Sequence, residues 1–223
     1  FAIKKAQFAR EELEYVGWIV SRHGYRPDPK KISAILEYEL GKFSPIKKVQ
    51  GLLGMTSFLR KFIQDYAIIA TPLRKLTMKN PTGEKDEGPD EDGEANIGDE
   101  GRDFPNEGRS NANGLVGWDE ECEKAVIILK KALTTPPILY WPDHSLPFEL
   151  HVDASGVGAG AALMQKDKDG NQRILSYASI CFTKEEMKWD VREREAYAAI
   201  KFAEYFRPYL MDRKFTLVTD HAN

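Results

Sequence analysis

The chain has 223 residues, 42% of them hydrophobic and 30% charged, with a formal net charge of −3. A chain of this length holds one large domain or two small ones, each with enough apolar side chains to bury a core. No stretch approaches the roughly 18 consecutive apolar residues of a membrane-spanning helix, so this composition excludes a membrane-spanning protein.

The amino terminus indicates a chain cut from something longer. Residues 1–5 lack an initiator Met, and their apolar run is too short for a signal peptide, so we expect an intracellular protein. Cys122 and Cys181 are the only cysteines and lie far apart in the sequence. We expect two reduced thiols, with a lone disulfide as the alternative.

The first elements form an N-terminal part that ends near residue 79. Residues 13–20 have the β-branched and aromatic composition of a strand, and Gly24 marks the turn that follows. The first helix begins at Asp28 as its N-cap, has Pro29 at its first position, and stops near Gly41.

A second helix begins at Ser44-Pro45 and carries apolar residues at helical spacing as far as Ile63. Gly51 and Gly54 lie inside it, and each weakens a helix by about 1 kcal/mol relative to alanine. They indicate either close packing within a small helical unit or the close approach of another backbone or a ligand.

Residues 80–117 differ from the rest of the chain in composition. This segment has eleven acidic residues against three basic ones, a balance of −8, which leaves +5 for the remainder. It has almost no large apolar residues and cannot offset the entropy of ordering, so we expect a disordered acidic insert. The mildly basic remainder is compatible with a polyanionic partner but does not require one.

The C-terminal part opens with a helix from about Asp119 to Leu133, which must end before Pro136-Pro137. Strand patterns follow, and Asp190 with Glu193 three residues later forms a capping box that starts another helix. The expected elements after residue 147 are strands at 148–153, 156–164 and 173–177, a helix at 190–206 and a strand at 215–219.

This order, β-β-β-α-β, predicts an α+β fold with a mixed sheet and a helix on one face. Asp153 and Asp220 then end two strands, and Glu195 lies early in the helix. If the helix packs beside the first strand, these three carboxylates converge, and a hard divalent cation would offset their repulsion. Taken singly, each is more typical of a turn, a cap or a solvated face.

Ordered motifs give these residues more weight. They are HVDASGVGAGAAL at 151–163, YAS at 177–179, EREAYA at 193–198, FRPYL at 206–210 and VTDH at 218–221. Together they closely resemble the ribonuclease H domain of Ty3/Gypsy-type LTR retrotransposon polyproteins. Upstream, YVGWIVS at 15–21 resembles the strand segment after the polymerase palm. RPDPKKI at 26–32 and LLGMTSFLRKFI at 52–63 resemble the thumb. The segment from WDEEC to PPIL, at 118–139, resembles the connection.

The resemblance implies a domain order. Residues 1–79 would be the end of the reverse transcriptase palm, with a β-hairpin, and a small helical thumb. The acidic insert at 80–117, longer than that family leads us to expect, would precede a connection at 118–147. Residues 148–223 would be a ribonuclease H-like domain, incomplete at its C-terminus.

The resemblance also implies two activities. An RNA-directed DNA polymerase would copy RNA into DNA, and its ribonuclease H would cleave the RNA strand of the resulting RNA–DNA hybrid. Asp153, Glu195 and Asp220 would hold Mg²⁺, with Mn²⁺ as an alternative, and a fourth carboxylate would follow Asn223. The palm aspartates would precede Phe1. Partners would be the hybrid, primer–template nucleic acid and the rest of the polyprotein, in the cytoplasm or a particle, with no membrane.

Nucleic-acid contacts are the remaining expectation. Phosphates would meet the basic side chains on or beside the second helix, and the aromatic pair Tyr15 and Trp18 either contacts a primer or belongs to the core. His151 shares the face of Asp153 and is a candidate for supporting it, whereas His221 is expected in a loop. The basic candidates, otherwise ordinary surface charges, are Lys47, Lys48, Arg60 and Lys61.

Two functions therefore remain open. The first is enzymatic, as part of a reverse transcriptase with ribonuclease H, and the three carboxylates at their motif positions favour it. The second is a catalytically inactive retroelement remnant that binds nucleic acid or another protein, which the expected truncation and the long insert favour.

Overall fold

The computed structural model describes residues 10–77, 110–111, 114–115 and 117–219. Most of the acidic segment predicted at 80–117 lies outside these residues. The N-terminal elements are β1 (Glu12–Tyr15), β2 (Trp18–Ser21), β3 (Gly24–Pro27), α1 (Pro29–Leu36), α2 (Ile46–Phe58) and α3 (Tyr66–Thr77). The later elements are β4 (Ser110–Asn111), β5 (Gly114–Leu115), α4 (Glu120–Thr134), β6 (Leu139–Tyr140), β7 (Phe148–Ala154), β8 (Gly158–Lys166), β9 (Gln172–Cys181), α5 (Val191–Tyr205), α6 (Arg207–Leu210) and β10 (Phe215–Val218).

The N-terminal sheet has the order β1-β2-β3-β6 and is antiparallel throughout. The single strand predicted at 13–20 is wrong, because the chain reverses at Val16 and Gly17, whose φ angles are 48° and 81°. Two consecutive residues with positive φ are typical of a tight hairpin turn between twisted strands. The structure thus contains a β-hairpin, as the resemblance implies.

The first two helices begin where the sequence predicts but end earlier. The Asp28 side chain accepts a hydrogen bond from the Lys30 amide at 2.9 Å, and α1 ends at Leu36 rather than near Gly41. Helix α2 ends at Phe58, and a 3-10 turn follows at Arg60–Phe62, so the predicted continuation to Ile63 is wrong. Helix α3 was not predicted.

The helices α1 to α4 share one core and are called the helical unit below. A Cβ at position 51 would lie 2.7 Å from the Tyr38 hydroxyl, which supports close packing as the reason for that glycine, whereas nothing lies within 4 Å of position 54. Helix α4 buries the face predicted for it, which consists of Cys122, Ala125, Val126, Leu129 and Leu133.

The C-terminal sheet has the order β10-β7-β8-β9, with β10 parallel to β7 and the other pairs antiparallel. It confirms the predicted mixed sheet with a helix on one face. Helix α5 begins with the predicted Asp190–Glu193 capping box and packs through Ala198 and Phe202 on the face that carries Leu150. Helix α3 contacts β8 and β9, and its first turn bonds to the opposite face.

Two further expectations concern the chain's environment. Cys122 and Cys181 are both free thiols, as predicted. Among the helices that the structure describes, none combines the length and the apolar character needed to cross a bilayer.

Candidate active site

Asp153 lies at the carboxyl end of β7, where it is exposed and pairs with Gly160 of β8. Strand alternation turns it away from the core residue Val152 and towards the face that meets α3. It opens on a cavity of about 320 Å³ whose walls come from both the sheet and the helical unit. The polar side chains that line this cavity are Gln64, Asp65, His151, Asp153 and Thr219.

Asp65 brings a second carboxylate to this cavity from the turn before α3. Burial, and then the negative charge of Asp153, raise the pKa of Asp65 above its ordinary value. Burial and then Asp65 likewise raise the pKa of the Tyr177 phenol. Burial is the main cause of both shifts, and the smaller contributions show that Asp65 lies near enough to Asp153 and to Tyr177 for their charges to interact.

Glu195 lies in the second turn of α5 and is half-buried. Its helix contacts β7, but the side chain does not line the cavity at Asp153. Asp220 lies outside the described residues. In the part of the chain that the structure covers, no group of three or more His, Cys, Asp or Glu side chains is arranged to hold a metal ion.

The four basic candidates fall into two pairs at opposite ends of α2. Lys47 and Lys48 lie in its first turn, and Arg60 and Lys61 lie in the 3-10 turn after it. At 1.5 Å per residue, the thirteen residues of α2 separate these pairs by about 20 Å. Lys48 also donates to the Glu39 carbonyl at 3.3 Å.

Tyr15 and Trp18 occupy different environments. Trp18 stacks on Phe58 with ring centroids 4.4 Å apart and packs against the helical core, whereas Tyr15 is 63% exposed at the hairpin turn. Both line a second cavity, of about 220 Å³, with Tyr25 and Trp141. Burial, and then the charges of two other tyrosines, raise the pKa of Tyr25 to about 12.

His151 shares the cavity with Asp153, but its Nε2 atom lies 3.0 Å from Glu149, which it is placed to bond. His221 lies outside the described residues. Gln64 and Asp65 were missed by the sequence interpretation. The only sequence signal was an acidic residue before an apolar helical pattern, which is typical of any helix start.

Comparison with known proteins gives a consistent result. Residues 118–217 match the family model of the RNase H-like domain found in reverse transcriptase. The chain is 32% identical over 220 residues to the retrovirus-related Pol polyprotein from transposon opus of Drosophila melanogaster, which covers 98% of this chain and 19% of that protein. It is 26% identical over 221 residues to the transposon Tf2-3 polyprotein of Schizosaccharomyces pombe, with 98% and 14% covered.

Solved structures share the fold. The foamy viral protease-reverse transcriptase in complex with RNA/DNA hybrid matches with a TM-score of 0.68 and 18% identity, over 99% of this chain and 25% of that one. The same protein in complex with dsDNA gives a TM-score of 0.70, with 99% and 39% covered. The chain therefore spans less than a fifth of the curated relatives described above and less than half of these structures.

Proposed function

Because this chain is homologous over almost its whole length to retrotransposon polyproteins and carries an RNase H-like domain, we propose that it is the part of a reverse transcriptase that holds and cleaves an RNA–DNA hybrid. The observation that supports cleavage most directly is the acidic cavity at Asp153, at the end of a strand in an RNase H-like sheet. In this proposal, residues 1–79 are the palm end and thumb, 80–117 an insert, 118–147 the connection and 148–223 the RNase H-like domain.

The proposed metal ligands are Asp153, Glu195 and Asp220. RNase H-like domains generally use divalent metals, and carboxylate oxygens such as those of Asp153 are the ligands that a hard cation such as Mg²⁺ or Mn²⁺ prefers. When bound, such ions activate a water and stabilise the leaving oxygen of a phosphodiester. The chain itself supplies Asp153 at an exposed strand end, where a sugar–phosphate backbone can reach it.

The helical unit would hold the hybrid. The basic pairs at the two ends of α2 span about 20 Å, which corresponds to roughly six base pairs at 3.4 Å per pair. Lys47, Lys48, Arg60 and Lys61 would meet phosphates in this way, and the exposed Tyr15 would contact the primer beside Trp18. The foamy viral relatives of this fold were solved with RNA/DNA hybrid and with dsDNA, which supports nucleic acid as the partner.

A second candidate function is a catalytically inactive module that binds nucleic acid or another protein. It is favoured by one observation, namely that Glu195, one of the proposed metal ligands, does not line the cavity at Asp153. The two candidates agree on hybrid binding and differ on cleavage.

Cleavage of a labelled RNA–DNA hybrid with Mg²⁺ or Mn²⁺ separates them. The proteins compared are this chain, a form that carries more of the polyprotein on both sides, and Asp153→Asn in each. We expect the longer form to cut the RNA strand and Asp153→Asn to lower the rate by roughly a hundredfold or more, because a metal ligand is lost. Asp169→Asn, in an exposed turn, is the matched control and should cut normally. A longer, folded form that binds hybrid but never cuts it would establish the second candidate.

A further inference from the structure

The turn Gln64–Asp65 belongs to the helical unit but lies on the C-terminal sheet. Asp65 adopts the left-handed conformation, with φ 57°, and its carboxylate rests on Gly160. A Cβ at position 160 would overlap the Oδ1 atom of Asp65, and one at position 158 would lie 2.9 Å from Cγ1 of Ile68. Gly160 therefore leaves the space that the Asp65 carboxylate occupies, whereas Gly158 lies closest to the Ile180 carbonyl of β9 and next to Ile68 in the first turn of α3.

Hydrogen bonds between the helical unit and β9 hold the turn in place. The Ala67 amide, one of the first amides of α3 and without a partner in its own helix, donates to Oγ of Ser179 at 2.8 Å. The Cys181 thiol donates to the Ala67 carbonyl at 3.2 Å, and Thr71 Oγ1 lies 3.0 Å from the same sulfur. These bonds between α3 and β9 fix the position of Gln64 and Asp65, which form one wall of the cavity.

Gln64 is the exposed member of this wall. It lines the cavity beside Asp153, and its side-chain amide makes no hydrogen bond to another residue in the part of the chain that the structure describes. A primary amide carries two donors and one acceptor. An uncharged amide that both donates and accepts is suited to a neutral hydroxyl group, which also does both.

We propose that Gln64, supplied by the helical unit, contacts the RNA strand of the hybrid at the Asp153 cavity and binds a ribose 2′-hydroxyl there. The inference rests on the proposed function, because it assumes that the hybrid passes over this cavity. The 2′-hydroxyl both donates and accepts hydrogen bonds and is the group that distinguishes RNA from DNA. Gln64 would then position the RNA strand, and the cleavage site would be incomplete without the helical unit.

The test compares the binding of two duplexes of one sequence, an RNA–DNA hybrid and a DNA duplex, by fluorescence anisotropy without divalent cations. In the full chain, Gln64→Ala should weaken hybrid binding roughly two- to tenfold, the range that one net hydrogen bond contributes, and leave DNA binding unchanged. Gly160→Ala, which displaces Asp65, should shift binding in the same direction. Gln172→Ala, an exposed glutamine outside the cavity, should change neither affinity.

Three outcomes would overturn the inference. These are unchanged hybrid binding by Gln64→Ala, an equal loss for both duplexes, or a wild-type chain that binds hybrid no better than DNA. Because no cleavage is measured, the two proposals can fail separately. A wild-type chain that prefers hybrid through Gln64 but never cuts it, even when extended, supports this inference and contradicts the proposed enzymatic function.

Discussion

Glu149 shows how a single carboxylate is stabilised on the polar face of β7. Its Oε1 atom lies 2.8 Å from the Lys166 ammonium and its Oε2 atom 3.0 Å from His151, while its side chain is 17% exposed. The bond to Lys166, and then the one to His151, hold the pKa of Glu149 below its ordinary value of 4.5. Its negative charge is therefore a stabilising feature of the folded sheet.

Glu149→Gln should lower the free energy of unfolding at pH 7 by up to about 1 kcal/mol. A carboxylate with a lowered pKa contributes stability above its unfolded pKa, and that contribution is lost as the pH falls through the folded pKa. The difference between variant and wild type should therefore begin to shrink below pH 4.5, where the unfolded carboxyl is protonated, and should vanish below the lower pKa of the folded state. Urea unfolding at pH 7 and pH 3 measures this, and an equal difference at both values would contradict it.

The candidate site residues differ in how directly the sequence indicates them. Asp153 and Glu195 lie in motifs that indicate them directly, and their positions on β7 and α5 were predicted. Gln64 and Asp65 could not be predicted, because their proximity to Asp153 depends on how α3 seats on a sheet more than 80 positions later. A local sequence pattern indicates which face of a helix or strand is apolar. It does not indicate which turn from a distant part of the chain will pack against that face.

At the scale of elements, the turn of the hairpin β1–β2 requires a backbone conformation that the side chain of Val16 disfavours. Val16 is β-branched and has φ 48°, a conformation that glycine and asparagine adopt far more readily. Its apolar composition explains why residues 13–20 were predicted as one strand. The turn forms because Gly17 follows and because β2 is paired on both edges, with β1 and β3.

Val16→Asn should stabilise the protein by about 1 kcal/mol, because Asn-Gly is a favoured pair for this turn and relieves the strain. Val16 is 71% exposed, so little packing is lost with its side chain. Thermal unfolding measures the gain as a higher midpoint temperature. Val157→Asn, at another exposed valine without positive φ, should give no gain, and equal effects at both positions would show that strain is not the cause.

The helices were predicted best where their ends carry capping residues. Asp119 accepts from the Cys122 amide at 2.9 Å and Asp190 forms a capping box with Glu193, and both starts match the sequence expectation. Helix α3 is preceded by a single acidic residue, Asp65, which is a weaker signal than a capping box, and the Ala67 amide in its first turn is bonded by Ser179. Strand β6 was also missed, since two residues carry no periodicity.

On the scale of the whole molecule, two hydrophobic cores are joined through the contact between α3 and β9.

Ser179→Ala removes the hydrogen-bond acceptor of the Ala67 amide and should lower the free energy of unfolding by about 1 kcal/mol, as the loss of a helix cap does. Hydrogen exchange of the first amides of α3 should accelerate, while those of α4 stay protected. Ser57→Ala, whose hydroxyl bonds only to Gly54 nearby, is the control. Unchanged exchange at Ala67 would show that this contact does not hold the units together.

The N-terminal sheet is completed by a strand that comes late in the chain. Strand β6 pairs with β3, and the adjacent Trp141 indole donates to the Ser21 carbonyl across 120 positions of sequence. A ribosome adds roughly 5–20 residues per second, so β6 emerges on the order of ten seconds after the hairpin. The hairpin itself forms in microseconds. While the residues between β3 and β6 are being added, the nascent chain thus presents β3 with an open edge, the kind of surface that chaperones cover.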